Sequence, residues 1–175
     1  MRKFLIASAA AIAAMIGFAS PAMAAGGSDV TLQTGEWSFT GPFGYFDKAA
    51  LQRGFQVYRE VCAGCHGLDY IAFRNLADLG YNEAEIKAIA AEYEVIDGPD
   101  DEGEMFMRPA RPADIIPNPY RNDNEARASN NGAMPPDLSL IAKARANGPD
   151  YLYSLLLGYV DAPADKDVPD GMHYN

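Results

Sequence analysis

The chain has 175 residues, with 14 basic against 24 acidic side chains and a formal net charge of −10. That balance argues against nucleic acid and against anionic lipid surfaces as partners, and it favours a basic one. The length suits one domain with a sizeable core.

Met1-Arg2-Lys3 is a short positive start, Phe4 to Ala19 is an apolar run, Pro21 breaks it, and Ala22-Met23-Ala24 gives a small-x-small cleavage pattern. Together these predict a secretory signal peptide over residues 1–24. The apolar run is shorter than the roughly 20 residues a spanning helix needs. The mature chain, residues 25–175, is then exported as one domain, with 12 basic against 24 acidic residues once Arg2 and Lys3 are removed.

From Ala25 to Phe46 a Gly-rich stretch carries Trp37, Phe39, Phe43, Tyr45 and Phe46, the pattern of an irregular arm laid on the domain. Asp47 is the predicted cap for a helix whose face is Leu51, Phe55, Tyr58 and Cys62. A second helix is predicted from Asn82 to about Tyr93, with Glu85 three residues after the cap. Seven acids follow between Glu92 and Glu104, with Gly98-Pro99 and Gly103 making the segment a loop. Pro109, Pro112, Pro117 and Pro119 speak against regular structure through Tyr120. Further short helices are expected at Asn122–Ser129, after an Asp137 cap with Leu138, Ile141 and Ala142, and from Pro149 to Leu157. No strand alternation stands out. The expected fold is mainly α with long irregular loops.

Both cysteines and one of the two histidines lie in "VYREVCAGCHGLDY", Val57 to Tyr70. Cys-x-x-Cys-His is the attachment signature of c-type haem. Thiols at this spacing can add to two vinyl groups on one porphyrin edge, and the following imidazole meets the iron. Cys62 and Cys65 are thus the predicted thioether anchors and His66 the proximal ligand of one covalent haem c. A thioredoxin-like pair needs a neighbouring strand–helix unit and leaves His66 unexplained. A structural zinc site needs four ligands, and no third cysteine exists. A plain disulfide would strain across so short a loop.

A methionine opposite histidine is the usual second axial ligand in an electron-transfer cytochrome c. Met105, Met107, Met134 and Met172 follow His66. Loop setting and distance along the chain favour Met134, with gap-filling beside the haem as its alternative role.

"FQVYREVCAGCHGLDYIAFRNL", "GEMFMRPARPAD", "NPYRNDNEARASNNGAMPPDLSLIAKAR" and "DYLYSLLLGYV" together resemble the cytochrome c1 family, the haem subunit of the cytochrome bc1 complex, in its bacterial form. The resemblance runs from about Trp37 to Asn175. It implies a c-type cytochrome fold around one covalent haem that takes an electron from a Rieske iron–sulfur protein. The acceptor is a soluble cytochrome c on the periplasmic side of the inner membrane, and cytochrome b is the subunit's neighbour. No substrate bond is made or broken at the haem, so the chain is a redox subunit of a quinol–cytochrome c oxidoreductase rather than a catalyst on its own. The resemblance also implies that Arg127 meets a haem propionate and that Pro135 and Leu138 wall the haem pocket; an ordinary loop arginine is the alternative for Arg127.

The family's axial methionine and its single C-terminal membrane helix lie beyond "PDGMHYN". The resemblance therefore counts against Met134 and leads to the expectation of a sequence that stops before both features. The alternative is an independent soluble periplasmic cytochrome c with Met134 as ligand. The acids of Glu92–Glu104 are expected to help attract a basic partner, with a merely solvated loop as the alternative.

Overall fold

The structure, a computed structural model, describes residues 31–175; the signal-peptide reading of residues 1–24 lies outside them. Asp47 caps the first helix by accepting from the N–H groups of Ala49 (3.0 Å) and Ala50 (3.3 Å), and α1 runs Lys48–Val57. Past Val57 the helix widens into one π turn, Tyr58–Cys62, closed by Ala63 N–H on the Tyr58 carbonyl at 2.8 Å. The extra residue shifts the helical phase. Of the predicted face, Phe55 is buried and Leu51, Tyr58 and Cys62 are half-buried.

A 3₁₀ helix over Phe73–Leu79 follows, which periodicity did not reveal. Gly80, at φ +95°, ends it in a conformation that side chains disfavour. The second predicted helix is α2, Glu83–Ala91. Asn82 accepts from Glu85 N–H (3.0 Å) and Glu85 Oε2 accepts from Asn82 N–H (2.7 Å), a reciprocal capping box. Its Ile86, Ile89 and Ala90 join Phe55, Phe73, Leu76, Ala110 and Ile116 in the core.

The absence of strands is corrected, and so is the reading of Glu92–Glu104 as a loop throughout; beyond Pro109 the proline stretch to Tyr120 is irregular as expected, apart from an isolated bridge between Ala72 and Ile115. Glu94–Asp97 (β1) and Phe106–Pro109 (β2) pair antiparallel, with Glu94 opposite Pro109 and Asp97 opposite Phe106. Four-residue strands are too short to register as alternation. Pro109 is tolerated at the end of β2 in a two-stranded ribbon. Arg108 anchors the hairpin through Asp97 and through Asp114, with Nη1 on Asp114 Oδ2 at 2.6 Å and Nη2 on Oδ1 at 3.0 Å.

That clamp sets a pH dependence. The Arg108 guanidinium, then the Arg111 N–H, hold the Asp114 carboxyl down at about 2, against an ordinary value of about 3.9. A depressed carboxyl stabilises the fold above its unfolded pKa and loses that contribution as pH falls through the folded one. Wild type should therefore lose melting temperature between about pH 4 and pH 2 more steeply than Asp114→Asn. Parallel acid profiles from the two proteins would remove Asp114 from the account.

In the C-terminal half, Asn122 caps α3 (Asp123–Ser129) by accepting from Glu125 N–H at 3.0 Å. The helix expected directly after Asp137 starts later, as α4 over Ile141–Ala144, because Asp137 is bonded elsewhere. Pro149 sits in the first turn of α5, Gly148–Leu157. The N-terminal arm lies on α5: Gly35 N–H and Trp37 Nε1–H both donate to Asp150 Oδ1, at 2.9 and 2.7 Å. Trp37 also meets Tyr153 edge-on, and the aromatic stack continues through Phe39 to Phe46. Among the described residues no helix is long and apolar enough to cross a membrane.

Candidate haem site

The π turn delivers the cysteines into a tight reversal. Cys65 N–H and His66 N–H both donate to the Cys62 carbonyl, at 3.1 and 2.9 Å. Cys62 and Cys65 are free thiols, the first half-buried and the second exposed. Gly67 is buried directly behind them, and a Cβ there would come within 2.5 Å of the Asn118 amide. The backbone can turn away from the motif at this point because the residue has no side chain.

His66 is held by a segment 70 residues downstream. Its Nδ1 lies 2.8 Å from the Pro136 carbonyl oxygen. A carbonyl only accepts, so Nδ1 carries the proton and Nε2 keeps the lone pair that a metal takes. A ligating histidine needs this arrangement, which also raises its basicity. Three more bonds lay the segment along the motif: Leu138 N–H to the Gly67 carbonyl (3.0 Å), Asp69 N–H to Asp137 Oδ2 (2.7 Å) and Tyr70 N–H to Ser139 Oγ (3.2 Å).

From the other side Tyr58 donates its hydroxyl to the His66 carbonyl at 3.0 Å. Burial, then the neighbouring Tyr93 and Asp137, push the Tyr58 pKa up to about 12, so it remains a donor throughout the neutral range. Two thiols free to form thioethers, beside an imidazole with its distal nitrogen unencumbered, are a donor set that fits a c-type haem.

A cleft of about 260 Å³ runs beside the motif, lined among others by Cys65, Asn118, Tyr120, Met134, Pro135 and Asp137. Met134 and Pro135 therefore share a wall with Cys65, and Met134 is 44% exposed. Leu138 is half-buried and bonded to the motif through its backbone. Arg127 is exposed at the end of α3, with Nη1 donating to the Gly132 carbonyl at 3.1 Å.

Sequence reasoning gave no role at the motif to Tyr58, Asn118 or Asp137. Asn118 donates to Asp69 Oδ1 at 2.9 Å and accepts from Tyr120 N–H at 3.0 Å, so it pins the loop that flanks Gly67. Contacts between positions so far apart in the chain leave no local periodicity. The sequence marks Asp137 only as a helix cap, whereas its carboxylate accepts from Ser139 N–H and Asp69 N–H.

The family model for the cytochrome C1 family matches residues 37–175. Three relatives illustrate the similarity. "Cytochrome c1" of Rhodospirillum rubrum is 51% identical over 94% of this chain and 59% of its own length. "Cytochrome b/c1" of Bradyrhizobium diazoefficiens is 48% identical over 97% of this chain and 28% of its own length. "Cytochrome b-c1 complex catalytic subunit, mitochondrial" of Candida albicans is 56% identical over 79% of this chain and 49% of its own length. The chain thus spans between 28% and 59% of the length of these relatives. With the family model covering everything from Trp37 onward, the Cys62–His66 turn included, the chain belongs to the cytochrome c1 family.

Proposed function

We propose that the chain is the haem-bearing part of a quinol–cytochrome c oxidoreductase, carrying one covalently attached c-type haem as cytochrome c1 family members do. The observation that carries this reading is the His66 imidazole, held on its Nδ1 side beside two free thiols. The haem supplies the one-electron couple; the protein's residues hold it, orient it and shape its surroundings. Cys62 and Cys65 anchor it and His66 offers Nε2 to the iron. Pro135 and Leu138 line its pocket, and Arg127 pairs with a propionate, a charge-assisted contact.

The reading extends to the whole assembly. Electrons arrive from a Rieske iron–sulfur protein and leave to a soluble cytochrome c on the periplasmic side of the bacterial inner membrane, with cytochrome b as neighbour. The hairpin tip supports a basic acceptor. Glu92 and Asp97 are engaged by Arg59 and Arg108, whereas Glu94, Asp100, Asp101, Glu102 and Glu104 are exposed and enter no ion pair among the described residues. A field of one sign raises encounter rates more than affinity. Met134 as sixth ligand remains the feature of the second reading, a free-standing cytochrome c, supported by its place on the cleft wall with Cys65.

Detergent extraction of the native protein tests both readings. Co-purification with a cytochrome b and a Rieske protein is expected; recovery as a free, detergent-independent cytochrome would support the second. In the same preparation, amides in place of Asp100, Asp101, Glu102 and Glu104 should slow electron transfer to a basic cytochrome c at low salt, with the difference fading at high salt. An unchanged salt dependence would remove the hairpin tip from docking.

A further inference from the structure

The bond that orients His66 ends on a backbone carbonyl, and something must aim that carbonyl. Pro135 and Pro136 have no N–H, so neither can anchor the segment by donating a hydrogen bond. The Pro136 ring also fixes its own φ, which leaves the direction of its carbonyl to the rotation that places Asp137. Asp137 is the first residue after the prolines with anchoring groups, and its two carboxylate oxygens are used in two directions. Oδ1 accepts from Ser139 N–H at 2.9 Å, closing a local turn. Oδ2 accepts from Asp69 N–H at 2.7 Å, across 68 residues of chain and three residues past His66. Asp69 is itself fixed by the Asn118 amide at 2.9 Å.

We propose that Asp137 is a positioning residue for the proximal imidazole. Its carboxylate clamps Pro136–Ser139 onto Gly67–Tyr70, and this clamp keeps the Pro136 carbonyl on His66 Nδ1. The proposal rests on His66 as iron ligand. An Nδ1–H donated to a well-aimed acceptor makes the ring a stronger donor, which favours the ferric iron and lowers the reduction potential. Loss of the clamp then weakens the bond and raises the potential. Removing the Asp137 charge also favours the ferrous form, so the potential alone does not separate aim from charge. The coupling of the remote imidazole nitrogen does, because it reports the hydrogen bond at Nδ1 directly.

The experiment compares haem-loaded full-length protein in four forms: wild type, Asp137→Ala, Asp137→Asn and Asp150→Ala. Asp150 is the control, since it also accepts two N–H donors but does so on the N-terminal arm. Pulsed EPR of the ferric protein reads the remote nitrogen, redox titration reads the potential, and thermal melting reads stability.

Asp137→Ala should change the nitrogen quadrupole coupling and shift the potential upward, with Asp137→Asn showing the same changes in smaller measure because one oxygen remains. Asp150→Ala should lower the melting temperature and leave the other two readouts at their wild-type values. If Asp137→Ala yields no holoprotein, the coupling in Asp137→Asn decides. A wild-type coupling in the Asp137 variants overturns the proposal, whatever their stability. Absence of any imidazole nitrogen on the wild-type iron would instead overturn His66 as ligand, so the two failures are distinguishable.

Discussion

Serine at both Cys62 and Cys65 is expected to abolish covalent haem attachment: after denaturing electrophoresis the polypeptide should show no haem-dependent peroxidase stain. The two thiols are the only cysteines in the sequence, so no other thioether can form. Either single replacement leaves one anchor and should retain a weaker stain. The imidazole is a separate matter, because its orientation comes from the Pro136 carbonyl and not from the cysteines. The double variant should therefore hold haem by ligation in native buffer and release it only on unfolding. Stain that persists in the denatured double variant would show that attachment does not run through these sulfurs.

Phe73→Ala should lower unfolding free energy by about 3–5 kcal/mol, a large share of the roughly 5–15 kcal/mol that holds a domain together. Phe73 has no exposed surface. Its ring lies 5.2 Å from that of Tyr93, and its N–H donates to the Asp114 carbonyl at 3.0 Å. It therefore joins the 3₁₀ helix to Tyr93, two residues past the end of α2, and to the proline-rich stretch after β2. Truncation leaves a cavity among elements too short to collapse into it. Urea titration of the holoprotein provides the measurement, and Phe73→Leu should cost clearly less because most of the volume is kept. Equal midpoints for wild type and Phe73→Ala would mean that this cluster does not carry the fold.

What the sequence revealed follows the range of the interactions involved. Asp47 and Asn82 cap helices where they were expected to, since a cap is a bargain between residues two or three apart. The aromatic arm was recognisable from composition, but its attachment to Asp150 was not. That bond joins positions over 110 residues apart. The β1–β2 hairpin is hidden for a different reason: its strands are short, flanked by acids and prolines, and only Val95 of β1 packs against the core while Arg108 ties the ribbon to Asp97 and Asp114. At the candidate site, Cys62, Cys65 and His66 stand out in the sequence because the haem-attachment signature has a fixed local spacing. The groups around them do not, because Pro136–Ser139, Tyr58 and Asn118 act through tertiary contact.

The distance between His66 and its acceptor also has a meaning in time. A chain that emerges N-terminus first presents Cys62–His66 long before Pro136 exists outside the exit channel, since the two are 70 residues apart. During that interval both thiols stand clear of the segment that later lies along them. Closing so long a loop is slow compared with forming the neighbouring helix. The wall behind the imidazole is thus added after the motif has emerged, so both thiols pass through an interval of open access before the downstream segment is laid beside them.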